Sequence, residues 1–378
     1  MKITFLTDLH IGNPKIHLDY FLNSLRTYAY PEIESSQLLL LGGDFFDCLL
    51  NLNSEAGVRA IYIIDELIDL VIKHNVYLRV LRGTFSHDRY QNRLFVDRAR
   101  EIPLYQDIPL IRIIDKIEVE RLTPYDLDIL YCPDDQPYKD LTNAVLTVLE
   151  SNHLDDVDFF CCHGYWDHLL PPNLLAKPHN CLDYKKLESK IRCYVFNGHV
   201  HSTSIWNKVI SGGSFERFRY SEEEDKGFYT CEYDPKTHTA QAKFIRNKSA
   251  VPFITVDMAL YKSTQSILKY LDGRIEQISQ YNPFVKQLLH IRLVGDDTSV
   301  SSAIRDQYPN AVVVEKHLTA VQEDIEYLSD VIQDLPIITA DNLPDLIYGN
   351  TKDMYPDLTR DRIKEILDGP TKPQGVGS

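Results

Sequence analysis

Gly198-His199-Val200-His201 constrains this chain more than any other stretch. Residues two apart at the end of a strand point to the same side, so both imidazoles can reach one small volume. The preceding run, Cys193-Tyr194-Val195-Phe196, is short, apolar and aromatic or β-branched, and predicts a buried strand. A lone His-x-His is more often a half-exposed edge than half of a metal site. The rest of the chain decides between the two. Asp8 and His10, Asp44, His87 and His163 also follow apolar runs, at 2–7, 37–41, 76–81 and 157–162. Ligands of open α/β sheets bind beyond the C-terminal ends of the strands. Seven residues of ligating type at such ends are hard to assign to core packing or solvated carboxylates.

The order strand 2–7, helix 17–29, strand 37–41, helix 54–74, strand 76–81 implies parallel pairing with right-handed crossovers. Ser54 is expected to cap its helix, on which Ile61, Ile64, Leu67 and Val71 recur at helical spacing. Further strands are predicted near 110–121, 127–132, 203–210, 227–233 and 238–245, with a helix near 138–151. Strands at 252–256, 288–293 and 311–314 and helices at 262–279 and 297–308 form a second α/β unit. From 318 the chain is helical and acidic, with short helices at 342–348 and 358–367. The expected organisation is therefore 1–250, 251–316, 317–368 and a flexible tail, 369–378.

Composition excludes several classes. No apolar run in the 378 residues approaches membrane-spanning length, and an acid at position 8 interrupts any signal-peptide core. A cytoplasmic protein without a membrane span is expected. Several of the seven cysteines, such as Cys132 and Cys193, lie in apolar runs, where a reduced thiol packs as a small hydrophobe. Cys161-Cys162 is adjacent, which argues against a Cys-x-x-Cys zinc or redox motif. A net charge of −15 argues against a broad basic nucleic-acid face. Any attraction for phosphate must be local, and metal ions can supply it.

Asp8, His10, Asp44, His163, His199 and His201 combine carboxylate with imidazole, a set suited to Mn²⁺, Fe²⁺ or Zn²⁺. They suffice for two ions that share Asp44, a clamp able to polarise a phosphate and activate water. His87 is placed to serve the leaving oxygen, with Asp88 holding its other ring nitrogen. Tyr165, beside His163, either stacks an unpaired base or packs a loop. Arg217 and Arg219 either meet substrate phosphate or belong to a salt-bridged turn with Glu222-Glu223-Glu224-Asp225.

Asp8-x-His10, Gly43-Asp44-x-x-Asp47, Gly83 followed by His87-Asp88, His163-Gly164 and Gly198-His199-x-His201 resemble, in order, the motifs of calcineurin-like metallophosphoesterases. The resemblance spans residues 1 to about 245. Asp8-Leu9-His10-Ile11-Gly12, Gly43-Asp44-Phe45-Phe46-Asp47 and Gly213-Ser214-Phe215-Glu216-Arg217 look most like the SbcD-type DNA nucleases, bacteriophage recombination nucleases included.

That resemblance implies an α/β fold: a four-layer α-β-β-α sandwich, a smaller α/β capping domain that binds DNA, and a helical C-terminal segment that binds a partner. It implies two divalent ions, foremost Mn²⁺, with Mg²⁺, Fe²⁺ or Zn²⁺ as alternatives. Asp8, His10, Asp44 and His201 would hold one; Asp44, His163 and His199 the other; His87 would be the catalytic histidine. The family's Gly-Asn-His-Asp is altered here: the loop after Gly83 is longer and Ser86 takes the Asn place as a metal ligand. The implied function is exonuclease and endonuclease action on DNA in recombination, repair or replication. The implied partner is an SbcC-like coiled-coil ATPase, with a possible homodimer, in bacterial cytoplasm or an infected host cell. The rivals are a small-substrate phosphodiesterase or phosphatase, and a weakly active DNA-binding subunit.

Overall fold

The structure, a computed structural model, describes residues 1–102, 110–134, 136, 139–169, 181–295, 297–316 and 359. Thr359 aside, these belong to one compact unit. The helical segment expected over 317–368 and the tail 369–378 otherwise lie outside the described residues.

In chain order the strands are β1 (Lys2–Leu6), β2 (Leu38–Leu41), β3 (Tyr77–Leu81), β4 (Ile111–Ile114), β5 (Glu118–Leu122), β6 (Leu127–Cys132), β7 (Val157–His163), β8 (Tyr165–Trp166), β9 (Cys181–Leu182), β10 (Ile191–Gly198), β11 (Ser204–Trp206), β12 (Val209–Ser211), β13 (Gly227–Asp234), β14 (Thr239–Arg246), β15 (Phe253–Asp257), β16 (His290–Val294) and β17 (Val312–Lys316). One six-stranded sheet has the order β14-β13-β1-β2-β3-β4, and the other β11-β12-β10-β7-β6-β5. The pairs β1–β2, β2–β3 and β3–β4 are parallel, as are β6–β7, β7–β10 and β10–β12. The fold is mixed α/β with parallel-rich sheets.

The strands are apolar on both faces because both faces are covered. Leu39 and Leu41 of β2 join a core with Ile63, Ile64, Leu67 and Val71 of the helix Glu55–Lys73. Leu38 and Leu40, one residue out of phase, join Phe5, Phe159 and Phe196 in a core that contains side chains of both sheets. Phe159 and Phe196 stack at 5.3 Å. A third core sets Phe160 and Val195 against Val145 and Leu149 of the helix Leu141–Ser151. Ser54 caps its helix by accepting from Gly57 N–H at 3.1 Å.

Two expectations differ in detail. The stretch near 110–121 is two strands in different sheets, β4 and β5, because the chain turns at 115–117 to pair antiparallel with β6. The helix expected over 17–29 is an α-helix only over Leu18–Ser24, followed by a π-turn at Leu25–Ala29 and a helical turn at Tyr30–Glu34.

Residues beyond 250 form a parallel sheet, β15-β16-β17, with a core of its own that includes Ile254, Leu271, Ile291 and Ile304. Its entry is held by Glu216, whose carboxylate accepts from Val251 N–H (2.8 Å), Asn247 Nδ2 (2.8 Å) and Tyr20 Oη (3.3 Å). Burial pushes the Glu216 carboxyl up to about 7. Between about pH 4.5 and 7 the unfolded chain therefore gives up this proton while the folded chain keeps it. The group costs stability as pH rises through that window, in total about 3 kcal/mol. Glu216→Gln should gain by up to that amount relative to wild type between about pH 4.5 and 8, read as urea midpoints. A difference between the two proteins that does not change with pH would contradict this.

Candidate metal centre

The C-terminal ends of β1, β2, β3, β7 and β10 deliver the ligating residues to one place. The two sheets nearly touch there, and glycine makes the approach possible. A Cβ on Gly43, whose φ is +100°, would stand 2.3 Å from His163 Nδ1. A Cβ on Gly198 would stand 2.3 Å from Thr7 Oγ1 and 2.5 Å from the Gly42 carbonyl. The connecting loops are cross-linked. Asp8 N–H donates to Gly43 O (3.1 Å), His10 N–H to Asp44 O (3.0 Å), and His199 N–H to the Asp8 carboxylate (3.0 Å). Asp8, His10, Asp44 and His199 all lie in the left-handed region, with φ of 51°, 46°, 48° and 82°.

Six of the expected ligands fall into two clusters. Asp8, His10 and His201 bring one ligand atom each within 4.8 Å of one another, and so do Asp44, His163 and His199. Asp44 stands in the second of these clusters, and His10 of the first acts on its carboxylate. A third grouping joins His10 to Asp47 and His87. His10 Nε2 and His201 Nε2 lie 3.1 Å apart.

The histidine orientations follow from their outer bonds. His163 Nδ1–H donates to Gly42 O at 2.8 Å, which leaves Nε2 facing Asp44 Oδ2 at 3.3 Å. His201 Nδ1–H donates to Glu222 Oε1 at 2.7 Å, which leaves Nε2 3.7 Å from Asp8 Oδ1. Fixing one ring nitrogen to present the other is how ligating histidines are held. His163 Nε2, His199 Nε2 and His10 Nδ1 are buried and make no well-formed hydrogen bond to the described residues; His163 Nε2 and His10 Nδ1 each stand 3.3 Å from a carboxylate oxygen, of Asp44 and Asp47 respectively. Buried polar atoms are nearly always partnered, so this donor set of carboxylates and imidazoles fits a cation. Burial alone would raise the Asp44 carboxyl, but His163, then His10 and His87, hold it well below the usual carboxylate range. Burial alone would depress His163 and His201; Asp44 and Glu222 respectively raise them above the ordinary imidazole value.

Several assignments made from sequence are corrected. Ser86 is exposed. The hydroxyl beside the second cluster is that of Thr84, whose N–H donates to Asp44 Oδ1 (2.6 Å) and whose Oγ1 lies 3.2 Å from Asp44 Oδ2 and 3.5 Å from His199 Nδ1. Phe85, Ser86, His87 and Asp88 form one short helical turn that follows Thr84. Asp88 does not hold His87. It is fully buried and accepts from Gly83 N–H, Asp44 N–H, Phe46 N–H and Asn92 Nδ2, tying the β2 and β3 loops together. His87 Nδ1–H donates instead to Asp47 O at 2.5 Å. Arg217 faces backbone: it donates to Ala250 O, Val251 O and Glu224 O, where the chain leaves for β15. Tyr165 packs edge-on against the His199 ring at 4.3 Å.

Glu222 and Lys226 escaped sequence reasoning. The run 222–225 reads as a solvated turn, yet Glu222 and Lys226 are 5% and 1% exposed. Glu222 holds His201 and accepts from Phe218 N–H, and Lys226 donates to His201 O at 3.0 Å. Their one available signal was the i,i+4 spacing of an acid and a base.

No protein-family model matches this chain, and no curated protein matches it. Similar solved structures include the protein TT1561 of Thermus thermophilus, at 9% identity over 64% of this chain and 98% of that one, TM-score 0.36. A hypothetical protein from the same organism is similar at 10% identity over 65% and 99%, TM-score 0.36. Scores this low bear on neither the fold nor the activity of this chain. Among the described residues no helix is long and apolar enough to cross a membrane.

Proposed function

We propose that this chain is a divalent-metal-dependent phosphodiesterase of the calcineurin-like class, acting on DNA as the nuclease subunit of an SbcCD-like complex. The observation that carries this reading is the pair of carboxylate–imidazole clusters at the joined ends of two sheets, with His199 Nε2 buried and unbonded to the described residues. In the same reading the two sheets and their flanking helices form the four-layer α-β-β-α sandwich. Asp8, His10 and His201 would hold one ion, and Asp44, His163 and His199 the other. When bound, two divalent ions, Mn²⁺ foremost, supply Lewis-acid polarisation of a phosphodiester. Glu222 and Gly42 O keep His201 and His163 in the ligating tautomer. His87, its Nδ1–H held by Asp47 O, would give the leaving oxygen the Nε2 proton of its doubly protonated ring and be left as the neutral Nδ1–H form.

The test is digestion of end-labelled single- and double-stranded DNA with Mn²⁺, Mg²⁺ or EDTA, beside a chromogenic phosphodiester and elemental analysis. Hydrolysis of both substrates that EDTA abolishes is expected. Absence of any metal-stimulated hydrolysis would sink the proposal; hydrolysis of the chromogen alone would favour a small-substrate phosphodiesterase. Co-purification with a coiled-coil ATPase tests the partner.

The correction at Ser86 gives a separate expectation. Thr84→Ala should weaken one of two Mn²⁺ affinities about tenfold, as losing an outer bond to a ligand does. Ser86→Ala should leave the calorimetric titration unchanged. The reverse pattern would restore Ser86 as the ligand.

A further inference from the structure

A groove of about 490 Å³ opens beside the turn that carries His87. Leu49, Leu52, Phe85, Tyr90, Arg89 and Arg93 line it. Leu49 is 64% exposed and Tyr90 65%, in a body whose other large apolar side chains are mostly buried. Phe85 and Tyr90 meet edge to face at 5.5 Å, and the Arg89 guanidinium lies 5.3 Å from the Phe85 ring centre. Arg89 has a φ of +51°, a strained value for a residue with a side chain. The Asp88 bonds just before it anchor that reversal. Both arginines are exposed, neither forms an ion pair with the described residues, and Asp97 is the one acid in the lining. In a chain of net charge −15 this is a local positive site.

Aromatic faces for bases and guanidinium groups for phosphates are what unpaired nucleic acid requires. An uncharged apolar partner would leave both arginines without a counter-charge. Resting on the nuclease reading, we infer that this groove holds unpaired DNA nucleotides next to the scissile bond. A base lies against Phe85 and Tyr90, and the flanking phosphates face Arg89 and Arg93. The turn that carries His87 also carries Phe85, and with Tyr90 it builds the platform.

The test uses the full chain in EDTA, where no cleavage occurs, and an oligodeoxynucleotide with 2-aminopurine at an unpaired end. Wild type should quench the fluorescence on binding. Tyr90→Ala and Arg89→Gly should each weaken binding about tenfold or more, as loss of one stack or its cationic partner does. Tyr90→Phe should bind as wild type. Arg89→Gly suits the left-handed backbone, and thermal melting checks that each variant is folded. No quenching by wild type, or equal binding by Tyr90→Ala and Arg89→Gly, overturns the inference. A dimer abolished by the same substitutions would also overturn it, assigning the groove to a second copy. Wild-type turnover of the chromogenic phosphodiester reads the catalytic proposal separately, since that small substrate carries no base.

Discussion

His87→Ala should lower turnover of a chromogenic phosphodiester by about 10²–10⁴-fold, the usual loss for a general acid. Metal content should stay at the wild-type value. The geometry behind this is that His87 lies outside both ligand clusters and is oriented through Nδ1 by the Asp47 carbonyl. Its ring sits 4.8 Å from that of His10, so it reaches the same space without belonging to either cluster. Elemental analysis of the variant is the decisive companion to the kinetics. A loss of one equivalent of metal would instead make His87 a ligand, through its grouping with His10 and Asp47. Full activity would remove it from the mechanism.

Asp88→Ala should act on folding rather than on the chemical step. Its carboxylate serves three backbone N–H groups and the Asn92 amide in a site closed to solvent. Each donor left unpaired costs about 1–3 kcal/mol, so the four together cost about 4–12 kcal/mol before any relaxation of the loops. That is a large part of a domain's stability. Asp88→Asn keeps an acceptor and should lose less. The burial that raises the Asp88 carboxyl, with Asp44 adding to it, is offset by these donors. Urea unfolding of the metal-free variants reads the effect directly. If Asp88→Ala unfolded at the wild-type midpoint and lost only turnover, the residue would be a partner of His87 after all.

The strand ends were legible because the runs preceding Asp8, Asp44, His87, His163 and His199 are mostly apolar, as parallel strands covered on both faces require. Ser54 was legible because a cap lies next to its helix in sequence. Ser86 was misassigned because a motif lengthened by two residues has more than one alignment, and only the backbone shows which residue keeps the contact. Asp88 was misassigned, and Arg217 left between two readings, for a different reason. Residue type announces that a carboxylate or guanidinium wants partners, but backbone groups satisfy it as well as a substrate does. Glu222 was hidden because composition cannot tell which member of an acidic run turns inward.

Four ligating residues, Asp8, His10, Asp44 and His199, occupy left-handed backbone. That conformation costs a residue with a side chain about 1–2 kcal/mol, and costs glycine almost nothing. Glycine at His10 or His199 would relax the loop, but it would also remove a ring packed against Phe218 and His87 in the one case and against Tyr165 and His163 in the other. Under the proposed function the same two rings serve packing and metal binding, so loosening these loops to harden the protein would weaken both.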